Sequence, residues 1–434
     1  MKTFNQYSSF ILLAVMLSGL VGCKKDYSDP SRATDEKVFT SAKGLTGATI
    51  GLQRIYSLGR ASSLYNLVSI DALSTNQVFL LNPGNLPEFQ LNAGGAFVDG
   101  TNTMLAGIWT SSNKIVYDAD LVITNASALP DKGYASGLIG YATIFKALSI
   151  GNMAMLWERV PDGTGQNVTF ITRNEGFTKA ITAIDQALAA ISANPIPAAF
   201  TSAMPVGIDI VNTLQALKAR YSLFIGNYAQ ALTAANAVDL TKRSTLNADA
   251  QNPNVIFDVC TSNFNVYQPL DSTLGLPVAI APTLTDKRVP FYVGLSGAPA
   301  YRWVIRGFAT APASAYPVYL PGEMILIKAE CYARQSSPDL NNALIELNKV
   351  VTKTPASDVF GVGADLPSIA GPLTQAQVLE QIYRHRCIEL YMSGLKLEDS
   401  RRFTRPAAER KRTFFPYPFR ERDNNPNTPA DPAG

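Results

Sequence analysis

Apolar residues recur every three or four positions through much of this chain, the spacing that places side chains on one face of an α-helix. One such stripe consists of Phe177, Ile181, Ile184, Leu188 and Ile191. Because these side chains share a face, that face must pack against another element. The same pattern runs through Leu45–Tyr56, Ile108–Ile123, Leu138–Trp157, Leu214–Ile225, Ala229–Val238, Met324–Ala333, Leu340–Val351 and Val378–Tyr391. The pattern predicts an all-α dominated fold of packed helix pairs.

One predicted helix pair has a recognisable turn, Gly226-Asn227-Tyr228-Ala229-Gln230-Ala231. It is similar to the G-x-Y-x-x-A junction of a tetratricopeptide repeat, where glycine ends the first helix and alanine lets the second helix approach. A weaker form of the motif stands at Pro338-Asp339-Leu340-Asn341-Asn342-Ala343. The motif predicts tetratricopeptide-like helix pairs, with an unrelated helical hairpin as the alternative.

Three stretches break the helical pattern: about 76–100, about 240–318 and 404–434. They are rich in Pro, Gly, Ser, Thr or Asn, and long irregular segments in a compact domain are usually functional surface or disordered. The middle stretch carries scattered aromatic residues, namely Phe264, Tyr267, Phe291, Tyr292, Tyr301, Trp303, Phe308 and Tyr316. For each ring taken alone, a structural role, in which the ring anchors its own loop to the helical body, is favoured over ligand binding.

The N-terminus predicts a lipid anchor. Residues 1–22 have a charged start at Lys2 and an apolar stretch of about eleven residues from Phe10 to Leu20, which is typical of a signal peptide and too short to span a bilayer. The stretch ends in Leu20-Val21-Gly22-Cys23, which looks like a bacterial lipobox, so Cys23 is the predicted lipidated residue. A chance cysteine after an ordinary signal peptide is the alternative. Residues 23–35 are polar and form the predicted tether, and no later apolar run of spanning length is evident.

Composition narrows the chemistry. Lys+Arg 37 against Asp+Glu 34 gives a formal net charge of +3 without a dense basic run, so nucleic acid is not an expected partner. His385 is the single histidine, which excludes a histidine cluster for zinc and leaves little room for a histidine-based relay. No metal, cofactor or disulfide framework is predicted. Two carboxylates would suffice for glycoside hydrolysis, so that chemistry stays open.

The C-terminal third carries a specific resemblance. Residues 384–402 resemble the signature of the SusD/RagB family, of the type R-x-E-R-x-x-E-L-x-x-E-G-x-R-x-x-D-L-R-R. The matching residues are Arg386, Glu389, Leu390, Gly394, Asp399, Arg401 and Arg402, while His385, Ser393 and Lys396 depart from it. Segments 319–330 and 415–427 agree in order with further family segments. Arg386, Glu389 and Asp399 are expected to form charged pairs of the exposed kind, worth about 0–1 kcal/mol.

The resemblance implies a scaffold of about four tetratricopeptide-like helix pairs spanning about 36–240 and 319–405. It also implies a ligand-facing insertion at about 240–318 and a C-terminal tail at 406–434, all within one SusD-like domain from 36 to 434. A lipoprotein of this family would sit in the outer membrane, facing outward.

The function that the resemblance implies is nutrient capture. Its partner would be a SusC-like TonB-dependent transporter, its ligand a glycan or a peptide, and it would not be an enzyme. Sugar recognition requires aromatic faces and polar groups. Trp303, Tyr301, Tyr292 and Asn82 satisfy those residue types and are the predicted ligand-binding residues. A tetratricopeptide scaffolding lipoprotein and a surface glycoside hydrolase are the alternatives.

Overall fold

The computed structural model describes residues 39–262, 266–297 and 302–433. The predicted signal peptide, Cys23 and the tether up to residue 35 lie outside the described residues. The predicted ligand-binding residue Tyr301 also lies outside them, as does Phe264.

Helices dominate the described chain, which confirms the predicted fold class. The α-helices are α1 Ala42–Ser57, α2 Ser63–Ser74, α3 Leu86–Ala93, α4 Thr103–Ser127, α5 Lys132–Leu156, α6 Arg173–Ala193, α7 Ala198–Ala203, α8 Ile210–Phe224, α9 Tyr228–Asn236, α10 Arg288–Tyr292, α11 Pro321–Arg334, α12 Leu340–Val351, α13 Gln375–Glu389, α14 Lys396–Arg402 and α15 Phe419–Asn424. Every stripe read from the sequence overlaps one of these helices, and four stripes run one or two residues past the end of the helix.

Helix starts follow from local sequence. Thr172 and Glu175 form a capping box at the start of α6, in which each side chain binds the other residue's backbone amide. Asp131 caps α5 by accepting from the amide of Tyr134 at 2.9 Å. These caps satisfy amides that the first helical turn leaves without partners, and thereby fix where each helix begins.

Neighbouring helices pack in pairs: α4 with α5, α5 with α6, α8 with α9, and α11 with α12. At the turn between α8 and α9, Gly226 has a φ of +76°, a left-handed conformation that glycine adopts without steric cost. Ala231 is fully buried beyond the turn, so the second helix approaches closely. Helix pairing is thus observed, and the assignment of the pairs as tetratricopeptide units stays a prediction.

Among the described residues, the core consists of two apolar clusters. The larger cluster joins α1, α2 and α4–α6 to α8, α9 and the segments around the short strands. The smaller cluster lies among α11, α12 and α13, with Leu326, Leu347 and Ile382 completely buried. The Phe177 stripe faces the larger cluster, where the Phe177 ring stacks on Tyr221 at 5.4 Å between ring centres.

Helix α5 is long and apolar enough to cross a membrane by length and composition, so the sequence-based statement that no later run reaches that length was wrong. Its most apolar window is 89% buried inside the protein. A helix that is apolar on all sides is expected at the centre of a large core as well as in a bilayer. Here α5 packs against α1, α4, α6 and α8.

The strands are short and pair as antiparallel ribbons: β1 Phe79–Leu80 with β5 Tyr267–Gln268, β2 Arg159–Pro161 with β3 Phe170–Thr172, β4 Thr245–Leu246 with β8 Tyr316–Pro317, and β6 Val293–Leu295 with β7 Trp303–Ile305. Most of them belong to the predicted insertion. Two of its rings attach it to the end of α13 and the turn that follows. The hydroxyl of Tyr292 donates to the carbonyl of Glu389, and that of Tyr316 donates to the carbonyl of Met392.

The C-terminal signature forms a buried charged network rather than the expected exposed pairs. Glu389, at the end of α13, accepts from Arg288 at 3.1 Å and from Lys353 at 2.6 Å. Arg386 donates to Asp399 at 2.8 Å, and both side chains are at most 1% exposed. The expectation that these pairs are exposed was therefore wrong, and the surface value of about 0–1 kcal/mol does not apply to them. Removing one partner of a buried pair costs about 3–5 kcal/mol, because it leaves the other charge buried without compensation.

Candidate functional site

Short strands gather two of the predicted ligand-binding residues into one region of the molecule. Asn82 follows β1, where the amide of Leu81 donates to the carbonyl of Val266 at 2.8 Å. Trp303 begins β7, and the amide of Ile305 on the same strand donates to the side chain of Gln268 at 2.9 Å. Since Gln268 lies on β5, which pairs with β1, both residues belong to this group of strands.

Trp303 and Asn82 each have a local structural role. Trp303 is partly buried, packs on the main core and lies opposite Leu295 in the β6–β7 ribbon. Asn82 forms a turn, since its side-chain oxygen accepts from the amide of Gly84 at 2.9 Å and its carbonyl accepts from Asn85 at 3.0 Å. Both side chains keep an intermediate exposure, so each is also accessible to a ligand.

Tyr292 is placed differently from the expectation. It is 3% exposed, and its ring contacts Phe291, Phe308 and Tyr391 edge-on. Its hydroxyl donates to the carbonyl of Glu389, and burial raises its pKa well above the ordinary value. The ring therefore has no open face for a ligand in this structure, and the prediction that Tyr292 contacts one has no geometric support.

Beside the Asn82 turn lies an open cavity of about 480 Å³, which we call the Arg60 cleft. Its walls come from the α1–α2 turn, the start of α2, the Asn82 turn with α3, and the start of α4. The lining residues are Arg60, Ala61, Asn66, Gly84, Asn85, Leu86, Pro87, Glu88, Thr103 and Met104. The volume falls within the range of small-molecule sites in proteins.

Arg60 and Glu88 set the electrostatics of the cleft. The Arg60 side chain is 49% exposed and forms an ion pair with Glu88, which is completely buried. Partial burial lowers the pKa of the Arg60 guanidinium, but its hydrogen bond to Glu88 and the nearby acidic groups together outweigh that effect, so the pKa is raised. Arg60 thus carries its positive charge at the edge of the cleft at any physiological pH.

The carboxylate of Glu88 is held in place by two hydrogen bonds, but one of its oxygens has no hydrogen-bond partner among the described residues. Its Oε1 accepts from the hydroxyl of Tyr65 at 3.1 Å as well as from Arg60. Its Oε2 is buried without a hydrogen-bond partner among the residues that the structure describes. A buried carboxylate oxygen of this kind favours a further donor such as an ordered water.

Sequence reasoning missed both residues. Arg60 and Glu88 are 28 positions apart, and neither belongs to a motif. The one available signal was the loop-rich stretch at about 76–100, which contains Glu88 and Asn82.

No protein-family model matches the chain, and no curated protein matches it. Solved structures do. A putative sugar binding protein from Bacteroides vulgatus has a TM-score of 0.69 and 14% identity, with 90% of this chain and 98% of that chain covered. A SusD superfamily protein from Parabacteroides distasonis has a TM-score of 0.68 and 13% identity over 93% and 100%. A laminarin binding SusD-like protein has a TM-score of 0.60 and 15% identity over 91% and 99%.

Proposed function

We propose that this chain, which has the fold of the SusD superfamily proteins, is a surface-exposed nutrient-binding lipoprotein. It captures a glycan, or a peptide, and delivers it to a SusC-like TonB-dependent transporter of the outer membrane. The observation that carries the binding part is the Arg60 cleft, an open cavity with a half-exposed guanidinium at its edge. Two proteins of the same fold are described as sugar or laminarin binders, which supports glycans as the first ligands to test.

The lining of the cleft suits a sugar ring. The guanidinium of Arg60 offers several donors in a fixed plane, which matches pairs of neighbouring hydroxyl oxygens. Asn85 adds an amide, and Leu86, which is 59% exposed, adds apolar surface for sugar C–H groups. Trp303, on the neighbouring group of strands, and Tyr301, two positions earlier in the sequence, remain the proposed aromatic partners.

The cleft favours binding over hydrolysis. Glycoside hydrolysis requires two carboxyl groups that flank the scissile bond. Among the described residues that line the cleft, Glu88 is the one carboxylate, and it is paired with Arg60. This arrangement supports a non-catalytic receptor, which would hold its ligand until transfer to the transporter.

The binding proposal is tested with Arg60→Lys, which keeps the charge that Glu88 requires but removes the planar set of donors. The probes are laminarin, amylopectin, xylan and a mixture of tripeptides, measured by isothermal titration calorimetry. Hydrogen bonds from a charged group contribute about 1.5–3 kcal/mol, so affinity for the bound probe should fall roughly ten- to hundred-fold.

The matched control is Arg54→Ala, because Arg54 is an exposed arginine on α1 that contacts Asn252 and lies outside the cleft lining. It should bind like the unmodified protein. Equal affinities of the Arg60→Lys variant and the unmodified protein would remove the cleft from the binding site. Binding of tripeptides alone would select a peptide as the ligand class.

The anchoring proposal rests on Cys23 and is tested separately. Cys23→Ser should abolish incorporation of labelled palmitate and move the protein from the membrane to the soluble fraction, because the acyl chains supply the attachment. Palmitate labelling that persists in this variant would contradict it. Delivery predicts that the unmodified protein co-purifies with an outer-membrane barrel after mild detergent extraction.

A further inference from the structure

A second open cavity of about 450 Å³ lies between α4, the connection from β2 to β3, and α15. We call it the Tyr117 groove, after the aromatic residue that is 51% exposed at its side. It shares no described lining residue with the Arg60 cleft. Both cavities use α4, and at 1.5 Å per residue Tyr117 is about 20 Å along the helix from Met104 of the cleft.

One wall of the groove is formed by side chains of α4. Trp109, Asn113 and Tyr117 recur every four residues, so they form one line along α4, with Lys114 beside them. Asn113 donates from Nδ2 to the carbonyl of Trp109 at 3.0 Å, which leaves its amide oxygen as an acceptor. The opposite face of α4 enters the core, and Trp109 at the start of the line is itself buried. Asn113, Lys114 and Tyr117 are therefore the side chains of this wall that a ligand can reach.

The other wall is fixed by the C-terminal tail. Glu421 of α15 accepts from the indole nitrogen of Trp109 at 3.0 Å and from Asn425 at 2.9 Å. Asn425 is buried and donates also to the carbonyl of Val168 at 3.0 Å, on the connection from β2 to β3. These bonds hold helix, loop and tail together, so the Glu421 carboxylate is positioned before any ligand arrives.

The charges of the groove select the ligand class. Lys114 and Glu421 carry opposite charges, and Lys114 is already paired with Asp118 at 2.8 Å. An acidic or basic ligand therefore meets no excess of opposite charge. An exposed tyrosine face with an amide oxygen, an ammonium group and a fixed carboxylate instead offers what a neutral sugar ring requires, namely a surface for C–H groups and both donors and acceptors for hydroxyls.

We propose that the Tyr117 groove is a second carbohydrate-binding site, which takes a neutral sugar ring stacked on Tyr117. The site is independent of the Arg60 cleft and goes beyond the capture function assigned to it. One polysaccharide chain held at both cavities would gain avidity, because the second contact forms within an already bound complex.

The test uses Tyr117→Ala alone and combined with Arg60→Lys, with affinity electrophoresis in gels that contain laminarin, amylopectin or xylan. Loss of a stacked ring should weaken retardation about ten-fold. We expect the Arg60→Lys variant to keep part of its binding to the polysaccharide that retards the unmodified protein. The double variant, with Tyr117→Ala added, should lose this remaining binding. Ile345→Ala, which truncates an apolar side chain that is 55% exposed on α12, is the matched surface control.

The outcomes separate the two sites. Unchanged retardation of Tyr117→Ala in both backgrounds, or no retardation of the unmodified protein by any of the three polysaccharides, overturns the proposal. If Tyr117→Ala loses retardation and Arg60→Lys does not, the result supports the Tyr117 groove as a binding site and contradicts the Arg60 cleft as one. If Tyr117→Ala lowers the melting temperature, Asn113→Ala repeats the test on the same helix face. Tyr117→Phe keeps the ring and should bind like the unmodified protein.

Discussion

At the scale of single residues, the main feature is the use of buried charge to join distant segments. Arg288 donates to Asp286, Glu389 and His385, and all four side chains are at most 1% exposed. His385 departs from the SusD/RagB-type signature that this segment resembles, but it still takes part in the network. Its Nδ1 serves as an acceptor for Arg288, at 2.9 Å, in place of a carboxylate.

This acceptor role makes His385 sensitive to acid. Burial first, and then the positive charges of Arg288 and Arg384, hold the pKa of the imidazole well below its ordinary value of 6.5. Below about pH 6.5 the imidazole of the unfolded chain binds a proton, whereas the buried imidazole of the folded protein does not. The free energy of unfolding should therefore fall as the pH decreases below about 6.5, by up to about 1.4 kcal/mol per pH unit from this group.

His385→Asn keeps an acceptor for Arg288 and removes the titration. Urea unfolding of both proteins between pH 7.5 and 5 measures the effect, because the difference between them cancels the other groups, among them Asp71, whose pKa burial raises to about 6. The stability difference should shift in favour of the variant as the pH falls. Parallel stability curves for the two proteins would contradict the assignment.

At the scale of elements, the sequence predicts most of the long helices but misses elements such as α2 and the shortest strands. The Phe177 stripe lies on α6, whose opposite face is exposed, so periodicity is visible. Helix α2 was not predicted, because all twelve of its residues are buried and no polar face marks the period. The two-residue strands β1, β4, β5 and β8 are too short to carry any pattern, and contacts with distant segments decide them.

The junction of α11 with the end of α13 gives a prediction at this scale. Gly322, in the first turn of α11, lies against the carboxylate of Glu389, and a side-chain carbon there would overlap that carboxylate. Gly322→Ala must displace Glu389 from Arg288 and Lys353, so we expect a loss of about 1–3 kcal/mol or more in the free energy of unfolding.

The matched control is Gly51→Ala, because Gly51 is a helical glycine in α1 with no atom within 4 Å of an added Cβ. It should stabilise the protein by about 0.5–1 kcal/mol, since alanine restricts the unfolded chain more than glycine. Chemical denaturation of the two variants provides the comparison. Similar stabilities would mean that the Glu389 site tolerates repacking.

At the scale of the whole molecule, the candidate sites arise from contacts that no local pattern encodes. Arg60 follows α1, Glu88 lies in α3, and their pairing depends on how α2 and α4 hold these segments. The sequence could indicate loop-rich regions and residue types suited to sugars. It could not indicate that Tyr292 packs inward, since burial of a loop aromatic depends on the body beneath it.

The C-terminal tail packs over the end of helix α5. The amide of Phe415 donates to the carbonyl of Leu156 at 3.1 Å, and the indole of Trp157 donates to the carbonyl of Pro416 at 2.9 Å. The hydroxyl of Tyr417 accepts from the amide of Arg159 at 3.2 Å. The last segment of the chain therefore covers the end of the central helix α5, which lies about 260 positions earlier in the sequence.

This closure predicts that a single tail residue governs global stability. Phe415 is completely buried, so Phe415→Ala should cost about 3–5 kcal/mol through lost burial and the resulting cavity. Phe419→Ala, in the same tail but with a side chain that is 57% exposed, should change stability by less than about 0.5 kcal/mol. Thermal unfolding monitored by tryptophan fluorescence reports directly, because Trp109 and Trp157 lie beneath the tail. A Phe415→Ala variant as stable as Phe419→Ala would show that the tail merely covers the helical body without supporting it.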